Sequence, residues 1–252
     1  MYVFMGHMRW KDIIPYEACF WTKNRINLIN DYVTTLDDQR KTVQTASGTE
    51  IGYDKLIIAT GSSSNGLEIS GTELDGVASL YSLQDLQHIE SKSTNIKKAV
   101  IAGGGLIGIE LAEMLLSRNI PITFLVRESS YSNMVLPAEE SEIVNREIRE
   151  HGIDLRLQCE LKEITGDKTG KVKSVITTNG EEIPCQFAGI SVGVHPNISW
   201  LKDSPIEVNK GILVDELLQT NIIDIFALGI APNCACLLRV AKRSNQSGIQ
   251  VA

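Results

Sequence analysis

One stretch restricts the fold of this chain more than any other: Ala99-Val100-Ile101-Ala102-Gly103-Gly104-Gly105-Leu106-Ile107-Gly108-Ile109-Glu110-Leu111-Ala112. Four consecutive apolar residues read as a strand covered on both faces. Glycines then recur at the spacing GxGxxG, and a helical pattern follows over 106–118. In that context Gly103 permits a tight turn, Gly105 lets the backbone reach a pyrophosphate, and Gly108 lets helix and strand pack closely. The helix N-terminus adds N–H groups and the positive end of a dipole. Gly103, Gly104, Gly105, Leu106, Ile107 and Gly108 are therefore the expected phosphate cradle of a βαβ unit.

A second strand over 122–126 follows, and its end should select the dinucleotide. An acidic residue about 20 positions beyond the glycines suits a ribose 2′-OH, whereas Arg suits a 2′-phosphate. Both types stand there, as Arg127 and Glu128. Glu128 accepts from a 2′-OH only if the strand ends one or two residues later, and the pair also fits a solvated loop. The choice between NAD(H) and NADP(H) stays open.

Around this unit, residues 12–24 read as a helix with Pro15 near its first turn and Ala18, Cys19 and Trp21 as buried candidates. Strands are expected at 26–29, 32–36 and 42–45, the three forming an antiparallel β-meander, and at 56–60. A helix near 83–90, a linker at 91–95 and a helix at 139–151 stopped by Gly152 follow. Strands at 155–157, 172–177 and 186–192 complete the βαβ unit. A strand pair at 212–214 and 225–228 lies toward the C-terminus.

Composition excludes several function classes. The 252 residues carry a net charge of −7 with no basic run longer than Lys97-Lys98, which argues against nucleic acid as a ligand. The longest uncharged apolar run, 99–109, is about half the ~20 residues of a bilayer helix, so no membrane association is expected. Nothing at the N-terminus resembles a signal peptide, and five scattered cysteines suggest reduced thiols and a cytoplasmic location. The four histidines have no metal-ligand spacing, and no GxSxG elbow supports hydrolase chemistry.

Four segments, in order, resemble the pyridine nucleotide–disulfide oxidoreductase family. Tyr53 to Ser62 (YDKLIIATGS) resembles the strand and ATG loop leaving the family's FAD domain. Gly103 to Ala112 resembles GxGxxGxExA of its NAD(P)H domain. Gly193-Val194-His195-Pro196-Asn197 resembles GxxPN, and Thr220 to Ile230 resembles TxxxxIFAxGD. The resemblance implies an α/β architecture, with a Rossmann-like NAD(P)-binding domain (94–193) inserted in an incomplete FAD/NAD(P)-binding-type domain (1–93 and 194–252). It implies an NAD(P)H-dependent oxidoreductase moving hydride from nicotinamide to FAD, and an electron acceptor that the motifs leave unnamed. It places Ala59, Thr60, Gly61 and Gly193 at the nucleotides and Glu110 beside the nicotinamide, where Glu110 reads equally as a helix-surface carboxylate.

The match has departures. The family's first strand–GxGxxG–helix has no counterpart before residue 26, and Ile230 stands where the family has an Asp on the ribityl chain. The family's C-terminal interface domain also has no counterpart. The chain reads as a truncated form in which FAD binding is in question, and the alternative is a non-catalytic NAD(P)-binding module. No cysteine is assigned a catalytic role: Cys19 reads as a buried thiol, and Cys234 and Cys236 point to opposite faces if extended. An incomplete FAD domain should expose apolar surface, which predicts association, a homo-oligomer being one form of it, or poor solubility.

Overall fold

The computed structural model describes residues 1–133, 135–229 and 232–234. The chain divides into two compact units, one comprising Met1–Tyr16 with Ser64–Val194, the other Glu17–Ser63 with His195–Ala252. The chain as a whole is mixed α/β, as expected from the sequence.

In unit 1 the strands are β1 (Val77–Ala78), β2 (Ala99–Ala102), β3 (Ile122–Val126), β4 (Asp154–Leu157), β5 (Leu161–Gly166), β6 (Val172–Thr177), β7 (Glu182–Pro184) and β8 (Phe187–Ile190). The helices are α1 (Leu83–Lys92), α2 (Leu106–Leu116) and α3 (Ala138–Glu150). Five strands form one parallel sheet in the order β1-β8-β2-β3-β4, and β5-β6-β7 form a separate antiparallel sheet.

Alternation along β2 explains its unbroken apolar run. Ala99 and Ile101 join Ile89, Leu111, Met114, Leu115 and Phe124 on the helical side. Val100 and Ala102 join Ile164, Val175 and Ile183 of the antiparallel sheet on the other. Both faces of the parallel sheet are thus covered, so no polar position is tolerated in β2.

Arg118, just past α2, ties the N-terminal segment to this core. Its guanidinium lies 3.6 Å from the centre of the Phe4 ring and bonds Ser93 Oγ at 2.7 Å and Glu90 at 3.4 Å. Phe4 is buried. Residues 1–16 accordingly belong to unit 1. Residues 64–93 do too, because Val77 and Ala78 pair with Ala188 and Gly189, and Leu86 and Ile89 enter the helical-side core. The unit boundary therefore differs from the one expected at 93/94.

In unit 2 an antiparallel meander forms, shifted along the chain from its expected position. Its strands are Val33–Asp37, Thr42–Thr45 and Glu50–Gly52. Residues 26–29 pair with nothing regular, and Ile26, Leu28 and Ile29 are exposed. The Asp31 carboxylate accepts from the N–H groups of Tyr32 and Ser47, closing the meander after that segment has passed.

The expected helix over 12–24 is two shorter pieces, a 3-10 turn (Trp10–Ile13) and a six-residue helix (Ala18–Lys23). Pro15 is the reason. Its ring disfavours helical backbone at Ile14, which is extended at φ −80° and ψ 111°. Cys19, expected to be buried, is exposed on the short helix, with its Sγ 3.5 Å from Glu17 Oε2.

The two strands near the C-terminus form but do not pair with each other. Ile212–Val214 runs parallel to Pro232–Cys234, and Ile225–Ala227 runs parallel to Leu56–Ile58. Ile58, Ile212, Ile225 and Ala227 make the core of this unit. Ile230 and Cys236 lie outside the described residues, as does the side chain of Cys234.

Candidate nucleotide cleft

The cradle begins where β2 ends. Gly103 has φ +124°, and a Cβ there would lie 2.1 Å from the Ser191 carbonyl oxygen. A Cβ on Gly108 would meet Gly103 O at 2.4 Å and Ser191 Oγ at 2.6 Å. These two glycines let the turn fold back and α2 rest on the sheet. Gly105 differs: its backbone is extended at φ −97° and ψ 177°, and a Cβ would have nothing within 4 Å. No internal packing demands glycine at that point. The open space lies at the N-cap of α2, where the N–H groups of Leu106 and Ile107 precede the first intrahelical bonds.

Gly103, Gly104 and Gly105 line a cleft of about 370 Å³ at the carboxyl ends of β8, β2 and β3. Arg127, Glu128, Ser191 and Gly193 line it as well. β2 and β8 are sheet neighbours connected in opposite directions from the middle of the sheet, which makes their junction the switch point where open α/β sheets bind ligands. Of the expected residues, Leu106, Ile107, Gly108 and Glu110 sit on α2 rather than on the cleft wall, with Leu106 exposed and Gly108 buried. Gly193 is held by its carbonyl, which accepts from Asn65 N at 2.9 Å.

β3 ends at Val126, not one or two residues later, the condition expected for a Glu128 acceptor. Glu128 reaches the glycine turn by its side chain instead, and the two residues after the strand form an ion pair. Arg127 donates to Glu128 Oε1 at 3.0 and 3.3 Å, while Glu128 Oε2 lies 3.6 Å from a Cβ position on Gly104. One carboxylate oxygen is therefore occupied by Arg127 and the other faces the cradle. Arg127 is 68% exposed and Glu128 26%.

Three residues of this region had no signal in the sequence. Tyr131 donates its hydroxyl to Gly105 O at 3.3 Å, and burial, then the charge of Glu110, pushes its phenol pKa up. Asn145 on α3 is fully buried and bonds both Ser130 and Tyr131. Ser191 is buried beneath the glycine turn and contacts Ala102 O and Gly103 O. Each is a common polar residue whose role depends on a partner 14 to 89 positions away.

Cys159 also borders the cleft, but burial raises its thiol pKa, and Cys185 is pushed up to about 11 by the same cause. Neither supplies a thiolate near neutral pH. Among the described residues, no three His, Cys, Asp or Glu side chains are placed to hold a metal, and no helix is long and apolar enough to cross a membrane.

Ala59, Thr60 and Gly61 belong to unit 2. They follow the Leu56–Ile58 strand as a loop clamped by Asn197, whose Nδ2 donates to Thr60 O at 3.1 Å and whose carbonyl accepts from Thr60 Oγ1 at 2.8 Å. Among the described residues, unit 2 holds one α-helix of six residues, a 3-10 turn (Ser199–Leu201) and no strand–glycine turn–helix. Those residues therefore do not form a second pyrophosphate cradle.

A family model described as pyridine nucleotide-disulphide oxidoreductase matches residues 5–248. The rubredoxin-NAD(+) reductase of Pseudomonas putida is 29% identical over 211 residues, covering 83% of this chain and 54% of that protein. The NADH-rubredoxin oxidoreductase of Clostridium acetobutylicum is 31% identical over 225 residues, covering 86% and 53%. A ferredoxin reductase structure from Rhodopseudomonas palustris superposes with a TM-score of 0.86 at 24% identity, covering 89% of this chain and 55% of that one, which establishes likeness of fold. The chain spans about half the length of the relatives it matches.

Proposed function

We propose that this chain, which belongs to the pyridine nucleotide-disulphide oxidoreductase family, binds a reduced nicotinamide dinucleotide in unit 1 and supplies that half of an NAD(P)H-dependent flavin oxidoreductase. The observation that carries the reading is Gly105: a glycine at a helix N-cap with open space where a side chain would stand. A pyrophosphate there receives N–H groups and the positive end of the α2 dipole without desolvating a charged side chain. When bound, the nicotinamide supplies a hydride donor. The protein's own residues hold the dinucleotide in register.

The preferred cofactor is NADH. Glu128 Oε2 is the acceptor available to a ribose 2′-OH, and Arg127, which would otherwise attract a 2′-phosphate, is engaged by the same carboxylate. A phosphate about 5 Å from Glu128 at an effective dielectric constant of 20–80 loses about 1–3 kcal/mol, on the order of 5- to 100-fold in affinity. Titration calorimetry with NADH and NADPH tests both parts. Tighter binding of NADH, with the gap closed by Glu128→Ala, supports the reading, and no binding of either nucleotide refutes it.

A second reading, a nucleotide-binding module without its own flavin, is favoured by one observation. The described residues of unit 2 form no second cradle. The absorbance of the purified chain after mixing with FAD separates the two. Retained flavin bands support the oxidoreductase half, for which rubredoxin, named in the relatives, is the first acceptor to assay.

A further inference from the structure

α3 buries a face that its own chemistry does not favour. Its deeply buried positions are Ser141, Asn145 and Ile148, with Ser141 and Asn145 wholly inaccessible. A buried amide costs stability unless each of its polar atoms is bonded, and Leu would pack such a face without that cost. Asn145 is fully engaged in one direction only, toward the loop between β3 and α3. Its Oδ1 accepts from Tyr131 N at 3.0 Å and its Nδ2 donates to Ser130 Oγ at 2.7 Å. Tyr131 carries the tether onward. Its ring lies 6.1 Å from that of Phe124, and its hydroxyl donates to Gly105 O, the N-cap carbonyl of the cradle.

The same loop sends Ser132, Asn133 and Val135 into the cleft wall, directly after Arg127 and Glu128. Ser132 holds φ +54°, and its carbonyl accepts from Val135 N and Leu136 N. Val135 is 81% exposed although apolar.

We infer that Asn145 and Tyr131 are positioning residues that lock this loop in its nucleotide-receiving shape before the ligand arrives. The inference rests on the nucleotide reading of the cleft. Its physical content is preorganisation: a wall already ordered does not have to be ordered by the ligand. If release of the tether leaves the receptive shape about one-tenth populated, apparent affinity falls about tenfold.

The test uses the full chain, with Tyr131→Phe, Asn145→Ala and the double variant. Binding of NADH and of ADP-ribose is measured by titration calorimetry, and hydrogen exchange is followed over residues 129–136. Tyr131→Phe removes one hydroxyl and keeps the ring, so it preserves the test should Asn145→Ala fold poorly. Faster exchange in the loop is expected, with Kd raised about five- to tenfold equally for both ligands. The double variant should lose little more than the worse single one, because both act through the same loop. Wild-type binding with faster exchange but unchanged Kd in the variants overturns the inference alone. Absence of binding by the wild-type chain overturns the parent reading and this one together.

Discussion

Replacing Gly105 and Gly108 by alanine, one at a time, adds the same methyl group three residues apart, and the two variants should fail in different ways. At Gly108 the new Cβ would sit 2.4 Å from Gly103 O, 2.6 Å from Ser191 Oγ and 3.1 Å from Phe124 Cε2. The nearest of these is backbone and cannot rotate away. The helix must therefore lift by roughly 0.6 Å or more to restore ordinary contact, an overpacking strain of about 1–3 kcal/mol. At Gly105 the methyl meets no atom of the described residues beyond its chain neighbours within 4 Å, and the extended backbone suits alanine. Restricting the unfolded chain stabilises by about 0.4–1 kcal/mol. Losing glycine at an N-cap costs a similar amount, about 0.5–1 kcal/mol, so stability should change by less than about 1 kcal/mol.

Binding should show the reverse order. In the proposed placement, the Gly105 methyl would fill the space through which phosphate oxygens reach the N–H groups of Leu106 and Ile107. Two weakened bonds to a charged group amount to about 3 kcal/mol, roughly a hundredfold in Kd. Urea unfolding and NADH titration calorimetry on both variants give the four numbers required. A Gly105→Ala chain that binds NADH like wild type would refute the placement of the phosphate. A Gly108→Ala chain as stable as wild type would refute the packing argument.

Two further outcomes follow from buried and charged groups elsewhere. Ser141→Ala should raise stability by about 1 kcal/mol, since Ser141 Oγ is buried with no hydrogen-bond partner among the described residues and alanine is the better helix former; a loss in urea unfolding would count against it. In unit 2, bonding from the Ser47 and then the Thr45 side chain lowers Asp31 to about 2. A folded pKa below the unfolded value of about 3.9 contributes stability above pH 4 that is lost as pH falls toward 2. Asp31→Asn should therefore flatten the fall of the unfolding midpoint between pH 4 and 2, and an unchanged slope would refute that assignment.

Elements whose signal is local were legible from sequence. β2, α2, β3 and α3 lie within a residue or two of their expected limits, because unbroken apolar runs and helical periodicity need no distant partner to be read. β5 and β7 were not legible. A bulge between Leu161 and Glu163 breaks the alternation of β5, and β7 contains Pro184, which only an edge strand tolerates. Residues 26–29 alternate like a strand yet pair with no strand among the described residues, since alternation marks a face and cannot supply a neighbour.

By itself the sequence determined that a glycine turn joins a covered strand to a helix, and, through four ordered segments, which family the chain resembles. The tertiary structure alone decided what each glycine is for. Gly103 and Gly108 answer to Ser191, which is more than 80 positions away in the chain, while a side chain on Gly105 would enter open space among the described residues. It also decided that Glu128 keeps one oxygen for Arg127 and turns the other toward the cradle, and that Asn145 reaches back to hold the loop between β3 and α3. Motifs record backbone requirements carried by one residue type. Which groups close on that backbone is set by packing between segments distant in sequence, and no local pattern encodes it.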